Sequence, residues 1–427
     1  MKPSLRSLAL LLSLSLVAAP PVLAQTPQMQ PPQPLQPPQP PQTQLAQQDL
    51  YLDALRSLSE GRQGDASEAL ARMIEREPQH AGAWLDLAII QCELGHAAEA
   101  ERLFATIETK FAPPPAILAV IADQRTKGCK GWQPQKRTSV VIGRGTDSNV
   151  NQGASDPFFT VGSGDVRVQL QLLPEYLPRR DSYTVAAVDH VRDLTSNGAL
   201  GFVYARAVHN DSLTKYNSGT LIGGIEQPWR AGNWSLRGAG LAVLQSLGGK
   251  LYQVQSQAQL RVAPPLGLPQ HVQASVTAGV SHIHYPTLGE FDSNTFELRG
   301  SASYRGAQSL LQASTGYLSD RAQGARPGGD RSGWLMSLYG KTQLTPQLSG
   351  ELSWTRQSWR SDNPYSPGFI DEVRDQRTQV WRGALSYPIS ARQSIQLELR
   401  QVRNRENISL FQYSSRQVQI SWQWQDF

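Results

Sequence analysis

Seven histidines and two cysteines carry most of what a metal or a nucleophile could use in this chain. His282 and His284 stand two apart, which puts them on one face of an extended segment, the placement of a ligand pair. A zinc site needs three or four ligands, and no third with suitable spacing stands near them. They read as polar residues of a sheet wall. Ser182 and His190 lie on neighbouring ground, and a hydrolytic pair is defined by geometry rather than by order, but no motif marks them. The chain has no G-x-S-x-G elbow, no H-E-x-x-H helix and no phosphate-binding P-loop. The reading assigns no catalytic residue, no metal and no cofactor, and expects a protein that is not an enzyme.

Two further groups stand out. Asp147, Ser148, Asn149 and Asn151 follow an extended run. Short polar side chains there close a strand in an Asx-type turn, or they line a loop at the mouth of a lumen; the turn is the expectation. Cys92 and Cys129 form a disulfide if the compartment is oxidising. The alternative is a buried Cys92 and a free Cys129.

The elements that position these residues follow from composition. At 427 residues the chain has room for two or three domains of about 150 residues each. Its net charge is +5, without blocks of like charge, so nucleic acid is not an expected partner. Two cysteines exclude a disulfide-rich scaffold. After residue 24 no apolar run is long enough for a membrane helix. Residues 1–24 read as a signal peptide: Lys2 and Arg6 precede the apolar Leu8–Val17, and Val22-Leu23-Ala24 ends on a small residue. Mature protein is expected to start at Gln25. Residues 25–44 are a Pro/Gln-rich linker, extended and unable to build a core.

Residues 45–130 change to Ala, Leu, Glu and Arg at helical spacing. Gly64-Asp65 with Ala69 aligns with Gly95-His96 and Ala100. The second unit carries Trp84, Leu87, Ala88, Gly95, Ala100, Phe104 and Ile107, a spacing similar to the tetratricopeptide repeat. Ala88 and Ala100 let antiparallel helices approach, and Gly95 makes their turn. The first unit is degenerate in its leading helix (Leu50, Ala54, Leu55, Leu58), and a third helix, 116–124, follows Pro113-Pro114-Pro115 as a cap.

Residues 131–427 change again, to a period of two. Phe296, Leu298, Gly300, Ala302 and Tyr304 alternate with Glu297, Arg299, Ser301, Ser303 and Arg305; Ile395, Leu397 and Leu399 alternate with Gln396, Glu398 and Arg400. Runs of this length, aromatic residues near run ends and connections that alternate short and long predict a transmembrane antiparallel β-barrel, apolar side to lipid. Fifteen candidate strands are visible. A barrel with both chain ends on one side needs an even number, and the run at 165–175 is the one assigned to a loop, leaving about 14 strands. Residues 360–374 are expected to be one of the long loops. The last strand reads out of phase: Val418, Ile420, Trp422 and Trp424 share a face that Phe427 does not, and a bulge near Asp426 would restore it. The fold expected is a short α-helical tetratricopeptide-type domain followed by this barrel.

The order of these parts resembles the surface lipoprotein assembly modifier (Slam) family. The resemblance covers about residues 48–427. It is carried by Gly145-Thr146-Asp147-Ser148-Asn149-Val150-Asn151 after the first strand, by Arg403-Asn404-Arg405-Glu406-Asn407 before the last, by Asp362, Pro364 and Phe369, and by Ala112-Pro113-Pro114-Pro115-Ala116 after a repeat pair. It implies a periplasmic repeat domain feeding an outer-membrane barrel that helps bring a lipoprotein or secreted client protein to the cell surface. The implied partners are outer-membrane lipid, the client, and the barrel assembly machinery that inserts the protein. The client groove is placed near Leu85, Ile89 and the third helix. The second expectation is an export or diffusion pore for polysaccharide or small solutes, with the repeats as a docking spacer.

Overall fold

The computed structural model describes residues 42–162, 166–269 and 271–426. The signal-peptide reading, the start at Gln25, most of the linker and Phe427 lie outside them. The chain forms two compact units. One is helical, runs to Lys136 and takes in Arg192–Gly201. The other holds Arg137–Val191 and the residues from Phe202 on.

The helical unit contains α1 (Gln42–Ser59), α2 (Gln63–Arg76), α3 (Ala81–Glu93), α4 (Ala97–Phe111) and α5 (Pro115–Lys127). Helix α1 starts three residues inside the stretch read as linker, immediately after the last proline, Pro41; prolines lack the donor a helix interior needs. Pro115 opens α5, where the missing N–H costs nothing. Small residues build the centre as the repeat spacing requires: Ala54, Ala66, Ala83, Ala88 and Ala100 are fully buried beside Leu70, Leu103 and Phe104. Gly95 turns α3 into α4 at a positive φ of +87°, and a Cβ there would meet the Cα of Gly131 at 3.0 Å. Arg62, between α1 and α2, is wholly buried. It is satisfied by Glu60 at 2.8 Å, by Asp65 and by the hydroxyl of Ser57 at 3.0 Å. No described helix is long and apolar enough to cross a membrane.

The second unit is a closed antiparallel barrel of 14 strands. In chain order the strands are β1 (Lys136–Asp147), β2 (Phe158–Val161), β3 (Val168–Gln171), β4 (Asp181–Asp193), β5 (Leu200–Asn210), β6 (Ser218–Ala231), β7 (Trp234–Leu247), β8 (Lys250–Ala263), β9 (Val272–His284), β10 (Ser293–Arg305), β11 (Ser309–Ala322), β12 (Arg331–Thr345), β13 (Leu348–Ser366), β14 (Ile370–Ser390), β15 (Gln393–Glu406) and β16 (Tyr413–Asp426). The pair β2–β3 forms a separate two-stranded sheet that takes no part in the barrel wall, so the described residues of the run at 165–175 belong to the first loop, as the even-number rule requires. Strand β1 pairs with β16 to close the wall. That pairing stays in register up to Thr138 and Asp426, without the bulge expected there.

The wall is inverted relative to a soluble barrel. Ile225, Leu352, Leu298, Ile420 and Leu399 are between 54% and 62% exposed on its outside. The side chains of Glu297 and Arg299, one residue out of phase, are 16% and 21% exposed on its inside. Apolar side chains outward and charges inward is the arrangement of a barrel in lipid. Inside, the charges pair: Arg382 with Glu398 at 2.7 Å, Lys341 with Glu351 at 2.7 Å, and Arg374 with Glu406 at 2.6 Å.

The barrel has two rims: the one at which β1 begins, and the opposite one, from which the first loop leaves after Asp147. At this second, loop-bearing rim the segment 360–374 differs from expectation. It is strand rather than loop, because β13 and β14 extend past their neighbours as a long hairpin. Its pairing shifts register between Arg360 and Pro364 and again before Ser366. Proline at 364 removes a ladder donor, and the chain absorbs it in these irregularities.

Candidate client surface and barrel motif

Leu85 and Ile89 stand one helical turn apart on α3. Both are half-buried and pack on the helical core while keeping part of their surface open. Beside Leu85, Asp86 accepts a hydrogen bond from the Tyr51 hydroxyl at 2.7 Å, which links α1 to α3. Burial, and then that carboxylate, push the Tyr51 phenol up to about 12. Glu93, at the end of α3, is also raised by burial, and Gln63 donates to it at 2.7 Å.

Helix α5 departs from a capping helix. Ile121 is fully buried, but Leu118 and Val120 are 41% and 38% exposed. A terminal repeat carries a polar outer face; this one keeps apolar surface open. Arg125 fixes α5 to α4 through Glu101 at 2.6 Å and Glu108 at 2.7 Å. The hydrogen bond from Arg125 holds the Glu101 carboxyl below its ordinary range. Cys92 at the end of α3 is bonded to Cys129 beyond α5, a bridge over 37 positions.

In the barrel, the four motif residues come together at the loop-bearing rim, and each is consumed by structure. Asp147 accepts from the backbone N–H of Asn149 at 2.8 Å, the Asx-turn contact. It also accepts from the Ser415 hydroxyl and from the Gln417 amide at 2.7 Å. The Ser148 hydroxyl accepts from the Arg416 N–H at 2.8 Å. Asn149, 2% exposed, donates to the carbonyls of Gly153 and Ser414 at 2.9 and 3.0 Å and accepts from the Gly153 N–H at 2.8 Å. Asn151 accepts from the Arg179 N–H at 2.9 Å and donates to the Leu177 carbonyl at 2.8 Å. The motif ties β1 to β16 and pins both ends of the first loop. It is a clasp, not a set of free ligands.

The other chemistry-bearing residues are apart or engaged. Ser182 and His190 lie eight positions apart on β4, about 26 Å along an extended strand, and His190 is in hydrogen-bond contact with Thr138 at 2.9 Å. His282 contacts Asn294 at 3.0 Å and His284 contacts Asp292 at 2.6 Å. Among the described residues no group of three His, Cys, Asp or Glu side chains could hold a metal. Sequence reasoning missed the buried Arg62. It also missed Asp320, fully buried between Arg326 at 2.8 Å and Arg331 at 2.6 Å.

Comparison with known proteins adds two findings. The tetratricopeptide repeat family matches residues 57–123. Solved structures similar to the chain include an anion-selective porin from Comamonas acidovorans, at 9% identity and a TM-score of 0.37 over 69% of this chain and 99% of that one. They also include a loop-deletion form of OmpT, an outer membrane protein of Vibrio cholerae, at 7% identity and a TM-score of 0.36, covering 69% of this chain and 99% of that one. The outer membrane protein OpdK of Pseudomonas aeruginosa follows at 10% and 0.32, covering 68% and 98%. Scores this low carry no argument of their own, and the barrel stands on its strand pairing. No curated protein matches the chain. What is established is a tetratricopeptide repeat region followed by a closed 14-stranded antiparallel β-barrel.

Proposed function

We propose that this chain is an outer-membrane protein whose repeat helices, on the periplasmic side, receive a client protein that the barrel helps to display at the cell surface, as in the surface lipoprotein assembly modifiers it resembles. The inverted wall supports the membrane assignment: leucines and isoleucines lie outside and paired charges inside. The observation that carries the client role is the unpartnered apolar surface of a helical repeat, with Leu118 and Val120 exposed on α5 and Leu85 and Ile89 half-open on α3. Repeat domains of this size normally stack further units; a client segment takes that place here. The test is a photo-crosslinking residue at Leu85 or Leu118 in living cells. A single secreted or lipidated protein captured from both positions, and lost from the Leu118 position in Leu85→Glu with Ile89→Glu, supports the reading. No adduct at either position with the barrel inserted removes it.

A second reading, a pore for polysaccharide or small solutes, is favoured by one observation. The inner wall carries paired charges such as Arg382–Glu398 and Lys341–Glu351, which suit a water-filled lumen. Steady conductance of the purified protein in a planar bilayer, without any client, supports this alternative.

A further inference from the structure

We propose that the outside of the wall at β13 to β15 is a binding site for a membrane lipid with a phosphorylated headgroup. The headgroup lies on an arginine cluster near the loop-bearing rim, and an acyl chain lies in an apolar groove that runs across β11 to β15. This rests on the membrane reading above.

The cluster follows from strand phase. On β13, Arg356 shares the outward face with Leu352; on β15, Arg403 shares it with Leu399. The register sets Arg356 against Gln379 and Gln379 against Arg403, and sets Arg377 against Arg405. Four guanidinium groups from three adjacent strands therefore converge, and they line a surface cavity of about 470 Å³. The two carboxylates at its edge are engaged: Asp375 with Arg377 at 3.2 Å and Glu406 with Arg374 at 2.6 Å. Among the described residues, Arg356, Arg403 and Arg405 have no carboxylate within ion-pair distance, whereas the inward Arg382 has two. The cost of an arginine on a lipid-facing wall falls toward the interface, and near a rim an unneutralised guanidinium is placed to meet a headgroup phosphate. The planar guanidinium fork matches phosphate oxygens in pairs.

The second half of the site is a groove of about 430 Å³, bordered by Leu311, Leu352, Leu385, Leu397 and Leu399 over Gly383. A Cβ at Gly383 would meet nothing within 4 Å, so this glycine leaves open space on the wall. Leu352 to Arg356 and Leu399 to Arg403 are four residues each, about 13 Å along a strand. The arginines lie toward the loop-bearing rim; the groove starts at Leu399, midway along β15, and runs on to the opposite rim, where Leu311 stands near the start of β11, so a tail leads away from its headgroup across the wall. Charge above and apolar groove below select an amphiphile over free phosphate.

The test uses the full chain in phosphatidylcholine nanodiscs, with lipid A as the added probe and native mass spectrometry as the readout. The expected result is retained lipid A on the wild type. Arg356→Gln, Arg403→Gln and Arg405→Gln together should weaken it about ten-fold or more, and Gly383→Phe should also weaken it by filling the groove. Equal lipid A retention in the triple variant, with the barrel inserted, overturns the site. Displacement by inorganic phosphate at matched concentration overturns the lipid as its ligand. A wild-type chain that never enters the nanodisc overturns the membrane reading instead, and gel mobility of the folded barrel separates the two failures.

Discussion

The Asn149 side chain donates to the carbonyl of Ser414 at 3.0 Å, joining residues 265 positions apart. The first and last barrel strands are thus locked at one rim by a buried amide that also makes two bonds with Gly153. Asn149→Ala leaves these backbone groups without partners inside the structure. The expected cost is about 2–3 kcal/mol, read as a lower midpoint for loss of the folded barrel band on unboiled gels. Asn149→Asp keeps the acceptor but loses the donor, and should restore little.

Reduction of the Cys92–Cys129 bridge is expected to loosen the helical unit. Closing a loop over 37 positions contributes about 4 kcal/mol in the chain-entropy account. Cys129→Ser should lower the thermal midpoint of the helical far-ultraviolet signal and leave the strand signal unchanged.

Arg62 is the most exacting buried group of the repeats, with Glu60, Asp65 and Ser57 all turned to it. Removing one partner of a buried ionic network costs about 3–5 kcal/mol. Arg62→Ala should unfold the helical unit at lower urea by roughly that amount, and Arg62→Lys, a point charge without the fork, should recover only part.

Tyr51 sets an alkaline limit. Its folded value, about 12, lies above the ordinary 10. The neutral phenol is therefore favoured by folding, and its contribution is complete below pH 10. It is lost as pH rises from about 10 through 12. Between these values the helical unit should lose stability, and Tyr51→Phe should flatten that part of the profile.

Periodicity made most of this architecture legible. The repeat spacing from Trp84 to Ile107 located α3 and α4, and the period of two revealed the barrel with fifteen candidate strands, which the need for an even number reduced to 14. The residues near 360–374 were not legible because Asp362, Asn363 and Pro364 are turn residues by type, yet strand pairing with Val373 and Ile370 carries them as an extended hairpin. Arg62 gave no signal, since charged residues are seldom fully buried. Arg403 and Arg405 were readable in principle: they fall in phase with Leu399 and not with Glu398. Their position in the pattern, not their charge, distinguishes the lipid side from the lumen. The motif at 147–151 was legible as a turn, but its hold on Ser414 and Arg179 required the closed wall.

The most direct test of the central claim compares cells carrying the full protein with cells lacking residues 45–127. Outer membranes are fractionated to verify insertion, and protease-accessible surface proteins are then profiled. The account predicts that one client protein leaves the surface while the barrel stays inserted. An inserted barrel with every surface and secreted protein unchanged would contradict it.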